Sequence, residues 1–257
     1  MTTVGQTGWL QAVIPQGLRN IADTAYLTLK SPLVLTFGSI FATGYFLPAK
    51  AVMCILGGVV GAMIYFPEKI PKGLFYEGVI VDNLARSVLT RCKLLRSPYY
   101  SHMGDNIYVG TIPLQNLDHD KMIQQLGVKA ILMIVEDYEL NQRTFLSEAV
   151  QKQVWIDAGM DVLQIPVVDL NSIPLEALHQ AADFINQYKE EGIYDHCKAG
   201  RGRSIMAFIA FLMKHKHMDL EKAFIYAHSK RSSANLKPWQ YERLREFQKD
   251  LKIQKAE

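Results

Sequence analysis

Two uncharged runs stand out in the first third of the chain, residues 33–47 (LVLTFGSIFATGYFL) and 51–66 (AVMCILGGVVGAMIYF). Pro48, Ala49 and Lys50 separate them, and Pro32 and Pro67 bound them. Each run is shorter than the ~20 residues that a helix needs to span a bilayer. Together they predict a tight helical hairpin of two short spans, or one broken, re-entrant element. A buried hairpin within a soluble fold is the alternative. Gly57, Gly58 and Gly61 favour the membrane, where small residues let helix backbones approach closely. The apolar stretch begins too late and runs too long for a signal peptide.

The flanks extend this pattern. Leu10, Val13, Ile14, Leu18, Ile21, Ala22, Ala25, Tyr26 and Leu29 recur at helical spacing, broken at Pro15 and Gly17. Val79, Ile80, Leu84, Val88, Leu89 and Leu95 form a second stripe, beside Arg86, Arg91, Lys93 and Arg96. A basic amphipathic helix next to a membrane is expected to lie against anionic headgroups; an ordinary face packed on the next domain is the other reading. Residues 1–96 are expected to form an anchor and residues 97–257 a catalytic domain. The basic flank places that domain on the cytoplasmic-equivalent side of the membrane.

Residues 97–105 read as a linker and turn. From Asn106 the pattern alternates between the two periods. Ile107–Val109, Val128–Val135, Val162–Val167 and the stretch from Ile193 read as strands. Asp120–Leu126, Arg143–Ala158, Pro174–Tyr188, Ile205–Lys214, Leu220–Ser229 and Trp239–Leu251 read as helices. Strand and helix in turn predict an α/β fold with a mostly parallel central sheet flanked by helices.

Charge and cysteine usage narrow the chemistry. Residues 1–96 carry nine Lys/Arg and four Asp/Glu, whereas residues 97–257 carry nineteen and twenty-one. The net charge of +3 gives no reason to expect nucleic acid. Three cysteines without framework or zinc-ligand spacing exclude a disulfide scaffold. Cys54 sits in an apolar run and reads as a small hydrophobe, and Cys92 as inert or a palmitoylation site.

Cys197 is different. It opens His196-Cys197-Lys198-Ala199-Gly200-Arg201-Gly202-Arg203-Ser204, between a strand and an apolar helix. Six residues after a cysteine can curl so that their N–H groups converge on one centre at a helix N-terminus, a nest for a phosphate dianion. The same field lowers the thiol pKa and makes Cys197 a nucleophile. Gly200 and Gly202 permit the curl. Arg203 suits bidentate binding of two phosphate oxygens, and Ser204 a hydrogen bond to the departing thiolate. Lys198, Ala199, Gly200, Arg201, Gly202 and Arg203 make up the phosphate-binding loop. This chemistry requires no metal and no cofactor. A non-catalytic anion site or a sulfur-transfer site is the competing reading. His196 reads as a structural residue that fixes the loop.

Phosphomonoester cleavage needs an acid for the leaving oxygen. Asp169, 28 residues upstream in Val167-Val168-Asp169-Leu170-Asn171-Ser172-Ile173-Pro174, lies between a strand and a helix. Ser172 is the better candidate to cap that helix, which leaves Asp169 for the acid.

These residues resemble the dual-specificity subclass of protein-tyrosine phosphatases, and within it the mitochondrial phosphatidylglycerophosphate phosphatase family. The resemblance rests on Val109–Leu114, Glu136-Asp137-Tyr138-Glu139, Val168-Asp169 with Ile173-Pro174, His196–Ser204, and Arg231-Ser232 followed by Pro238 and Gln240. It implies the dual-specificity fold, Cys197 as nucleophile, Arg203 as clamp, Asp169 as acid and a phospholipid substrate. It also implies that the acidic 136–139 motif sits near the active-site rim. The leader lacks the Arg and Ser richness of a mitochondrial presequence, which argues against that address.

Two positions depart from the family. Asp195 replaces an apolar strand residue: either it faces the nucleophile, raising its pKa and repelling phosphate, or it turns away and pairs with a basic residue. Lys198 and Arg201 form a doubly basic pair resembling the phosphatase and tensin homologue loop, which extends the expected headgroups to phosphoinositides. A dual-specificity protein phosphatase for phospho-Tyr/Ser/Thr, and a catalytically weak phosphate-binding adaptor, remain as alternatives.

Overall fold

The computed structural model describes residues 98–142 and 148–254, together with 76, 78–80, 82 and 83. The two apolar runs and the amphipathic stripe that precedes them lie outside the described residues. Among the described residues, no helix is long and apolar enough to cross a membrane.

Among the described residues, five strands form one sheet in the order β1-β2-β5-β3-β4. They are β1 (Tyr100–Gly104), β2 (Ile107–Gly110), β3 (Ala130–Met133), β4 (Asp161–Gln164) and β5 (Ile193–His196). β1 runs antiparallel to β2, and the other pairings are parallel. Among the described residues, the α-helices after β2 are α1 (His119–Gln124), α2 (Asp137–Asn141), α3 (Lys152–Asp157), α4 (Leu175–Tyr188), α5 (Arg203–His215), α6 (Leu220–Lys230) and α7 (Pro238–Gln254). The mostly parallel sheet expected from the alternating pattern is present.

Side-chain alternation divides the core between the two faces of the sheet. Val109, Leu132, Ile193 and Cys197 join the cluster built with α4 and α5. Ile131, Met133 and Tyr194 join the opposite cluster with Trp155, Leu140 and Ile112. β3 and β5 are therefore buried on both faces, as central parallel strands are. Helix α5 is apolar all round, and Arg203 to Met213 are all buried; such a helix belongs inside a core.

Register then places the site. Gly110, His196 and Met133 are aligned across β2, β5 and β3, and Met133 aligns with Gln164 of β4. All four parallel strands end on one edge. Loops at the carboxyl ends of parallel strands are where α/β sheets bind ligands.

Four readings need correction. Residues 100–104 are an edge strand rather than linker: Ser101 and Met103 are buried while His102 is exposed, a period of two that a turn-rich composition hid. Of the helix expected over Arg143–Ala158, residues 143–147 lie outside the described residues, and within 148–158 only Lys152–Asp157 is helical. Ala149 instead bridges Leu114, and the Val150 N–H donates to the Pro113 carbonyl at 2.9 Å. Ser172 caps nothing: Pro174 occupies the position ahead of α4, and no side chain caps that helix. Finally, Tyr76 and Ile80, placed above within residues 1–96, are buried with Ile112, Leu114 and Met133, which at Ile80 is the face packed on the next domain given as the other reading. Ring and aliphatic surface at these two positions is removed from water by the catalytic fold itself.

Candidate active site

Strand β5 delivers Cys197 to the carboxyl edge, and the loop after it turns directly into α5. Gly200 has φ +64°, and a Cβ there would lie 2.4 Å from the Gly110 carbonyl oxygen. Only glycine fits that approach. Gly202 has ordinary negative φ; its lack of a side chain makes room for the Gln240 amide.

Cys197 is 3% exposed. Its Sγ accepts the Gly200 N–H at 3.2 Å and lies 3.4 Å from Ser204 Oγ. Burial pushes the thiol up; the Arg203 guanidinium and the hydrogen bonds from Ser204 more than offset this and hold it below its ordinary value. The thiolate fraction is therefore raised above that of a free cysteine.

Arg203 is buried and held on several sides. Nη1 donates to Glu139 Oε2 at 2.6 Å and to the Val167 carbonyl at 2.7 Å; Nη2 donates to Glu139 Oε1 at 2.8 Å and to Asp169 Oδ1 at 2.8 Å. Burial would lower its pKa, but Glu139 and Asp169 raise it, so the charge is permanent. A two-bond fork of this kind fixes the plane of the guanidinium. Glu139 reaches it from the first turn of α2, where its Oε2 also accepts the Glu136 N–H in a capping box. The acidic motif expected at the rim thus divides. Tyr138 is exposed, whereas Glu139 is 2% exposed and lies beneath the site.

Asp169 lies across the cavity from the nucleophile. It pairs with Lys198 Nζ and with Arg203 while its side chain stays 24% exposed. Burial raises its pKa, and Arg203 and Lys198 outweigh that to lower it, so the carboxyl is ionised in this arrangement. The next residue, Leu170, has φ +65°, a left-handed conformation that strains a residue with a Cβ. Its carbonyl accepts Trp239 Nε1–H at 2.8 Å, and the Asn171 carbonyl accepts Gln240 Nε2–H at 2.8 Å. The first turn of α7 therefore holds the Asp169 loop in place.

The cavity has a volume of about 140 Å³, room for several waters or for one phosphate group. Cys197 and the loop residues Lys198, Ala199, Arg201, Gly202 and Arg203 line it. Asp169 and Leu170 close one side, and Asn235, Lys237 and Gln240 another. Every residue assigned to the site from sequence is thus at or beside this cavity, Gly200 and Ser204 through the nucleophile's hydrogen bonds. His196 is buried, and burial drives its pKa down to about 3. It is a neutral strand residue whose carbonyl accepts the Ile134 N–H at 2.8 Å.

Asp195 neither confronts the site as an anion nor pairs with a base. It is fully buried at the register of Val109 and Leu132, and neither oxygen makes a hydrogen bond within the described residues. Burial, followed by the nearby Cys197 charge, raises its pKa well above the ordinary carboxylate value. The group is held as a neutral acid.

Five further residues contribute in ways the sequence did not indicate. Glu139 orients the clamp. Arg231 Nε donates to the Gly200 carbonyl at 2.6 Å and Nη1 to the Pro98 carbonyl at 3.2 Å, tying the loop to the chain ahead of β1. Gln240 steadies the Asp169 loop. Asp82 and Asn83 engage Arg201. Pairings across such separations leave no periodic trace in a sequence; Glu139, Arg231 and Gln240 stood only within matched segments.

Comparison with known proteins agrees with this geometry. The family model for the dual specificity phosphatase catalytic domain matches residues 107–250. The chain is 30% identical over 156 residues to phosphatidylglycerophosphatase and protein-tyrosine phosphatase 1 of Homo sapiens, covering 60% of this chain and 75% of that protein. The Mus musculus protein of the same name is 29% identical over 161 residues, 62% of this chain and 80% of that one. The crystal structure of PTPMT1 in complex with PI(5)P superimposes with a TM-score of 0.54 at 26% identity, over 61% of this chain and 98% of that chain. The chain is a phosphomonoester hydrolase that belongs to the dual-specificity phosphatase family.

Proposed function

We propose that the chain hydrolyses the phosphomonoester of a phospholipid headgroup, phosphatidylglycerophosphate or a phosphoinositide, through a phosphocysteine intermediate. The observation that carries the mechanism is the environment of Cys197: a buried sulfur receiving the Gly200 N–H, beside Ser204 and the fixed charge of Arg203.

The thiolate attacks phosphorus, and the S–P bond forms as the P–O bond to the leaving alcohol breaks. Arg203 binds two of the phosphoryl oxygens as negative charge shifts among them. To do so it releases Asp169. A carboxylate that loses a cation and faces a bound dianion gains proton affinity, so Asp169 takes up the proton that it then gives to the leaving oxygen. In the second step Asp169 accepts a proton from water, the water oxygen bonds to phosphorus, and Cys197 departs as a thiolate with Ser204 donating to it. No step requires a metal.

The lipid assignment draws on the relatives above, one named a phosphatidylglycerophosphatase and one crystallised in complex with PI(5)P. It also draws on the uncharged runs 33–47 and 51–66 as a membrane anchor, with the catalytic domain on the cytoplasmic-equivalent side. Val168, next to Asp169, and Trp239, which bonds the Leu170 carbonyl, are half-exposed. Aromatic and aliphatic side chains of this kind suit a lipid–water interface.

Phosphate release from phosphatidylglycerophosphate, individual phosphoinositides and phosphopeptides tests the reading. Lipid turnover that disappears in Cys197→Ser is expected. Turnover of phosphopeptides alone would establish a tethered protein phosphatase instead.

A further inference from the structure

The part of the cavity wall formed by Gly78, Val79 and Asp82 has no role in the steps above. It is attached to the phosphate loop by three hydrogen bonds. Arg201 Nη2 donates to Asp82 Oδ2 at 2.6 Å and to Asn83 Oδ1 at 3.0 Å. Asn83 Nδ2 donates in turn to the Lys198 carbonyl at 3.2 Å. Asp82 and Arg201 both line the cavity, as does Lys237. Their side chains are 14% and 23% exposed, so this ion pair lies where solvent and substrate reach it.

The loop cations are therefore engaged in two sets. Lys198 and Arg203 hold Asp169, which the reaction itself displaces. Arg201 holds Asp82, which a single phosphomonoester seated over Cys197 has no need to displace. A guanidinium paired to a carboxylate presents little net field to a second anion, and freeing it costs its charge-assisted hydrogen bonds. A substrate recovers those bonds only if it brings another anionic group to Arg201.

We propose that Asp82 is a specificity-determining residue that occupies Arg201 in the empty site and is exchanged for the second anionic group of a substrate, such as the phosphodiester of a phosphatidylglycerol phosphate or a second inositol phosphate. Asp82 thereby sets how strongly the enzyme prefers two-anion headgroups over simple phosphomonoesters. This rests on the phosphatase reading of the same cavity.

The test compares kcat/KM for para-nitrophenyl phosphate, with one anionic group, and for short-chain phosphatidylglycerophosphate, with a monoester and a diester, using the full chain in detergent. Asp82→Asn removes the competing charge at nearly constant shape. It is expected to raise the two-anion to one-anion ratio about tenfold, chiefly through KM, equivalent to ~1.4 kcal/mol. The gain disappears when Arg201→Gln is added, and Asp82→Glu keeps the original ratio. An unchanged ratio, or equal changes on both substrates, would overturn the inference and leave Asp82 as a support for the loop. Competition provides a measurement independent of the folding of Asp82 variants: Arg201→Gln weakens inhibition by inorganic pyrophosphate more than by inorganic phosphate, and equal weakening sinks the idea. Failure of the unmodified enzyme to turn over either substrate contradicts the phosphatase reading instead.

Discussion

Replacing Asp195 by valine should stabilise this protein, increasingly so as the pH rises. Both Asp195 oxygens are buried without a hydrogen bond in the described residues, between Val109 and Leu132 on the neighbouring strands. An unsatisfied buried polar group costs about 1–3 kcal/mol even when neutral, and valine suits a central strand. Titration adds a second contribution. Burial raises the folded-state pKa of Asp195 well above the ordinary value, whereas in the unfolded chain the group ionises near pH 4. Above that pH the unfolded state binds fewer protons than the native state, so wild-type stability falls by up to about 1.4 kcal/mol per pH unit until the folded group also ionises. Valine has no such dependence. Equilibrium urea unfolding should therefore show Asp195→Val ahead by a margin that widens by up to ~2.7 kcal/mol between pH 5 and pH 7. Asp195→Asn should show the same widening, with a smaller gain because the amide stays unsatisfied. A margin independent of pH, or a valine variant less stable than wild type at pH 7, would refute the account of a neutral, unpartnered acid.

Other variants probe the site. Iodoacetamide labelling of Cys197 should reach half its maximal rate below the ordinary thiol pKa of about 8.5, and Ser204→Ala should move that midpoint upward. Asp169→Asn should lower kcat on alkyl phosphates by about 10²–10⁴-fold, with a much smaller loss on para-nitrophenyl phosphate, whose leaving group needs little protonation; equal losses on both would remove Asp169 as the acid. Glu139→Ala removes the buried, two-bond partner of Arg203 and leaves Asp169 as its ion-pair partner among the described residues; it should cost up to about 3–5 kcal/mol in thermal or urea unfolding, along with activity. Gly200→Ala forces a Cβ against the Gly110 carbonyl and should abolish turnover in a steady-state assay; near-normal activity would contradict the loop geometry.

Much of the fold was legible because its central elements are apolar segments of distinct length between turn residues. The strands at 107–110, 130–133 and 161–164 come from short apolar runs, and helices α4 to α7 from longer apolar-rich segments. The elements that were misjudged are short and governed by distant partners. β1 exists through its pairing with β2, and Ala149 is extended because it bridges Leu114. No local preference distinguishes those segments from a linker or a helix.

The site shows the same division. Cys197, Gly200, Arg203 and Ser204 lie within eight consecutive residues, so their spacing along the chain nearly determines their geometry and their chemistry. The sequence alone was enough for the phosphate-binding loop and for the α/β class. Tertiary structure decided what that loop is connected to: Glu139 beneath Arg203, Arg231 on Gly200, Gln240 on the Asp169 loop and Asp82 on Arg201. It also decided that Asp195 is a neutral buried acid rather than a charge beside the nucleophile. Ionisation and ion pairing depend on solvent exposure and on atoms tens of residues apart, and only the folded chain brings those together.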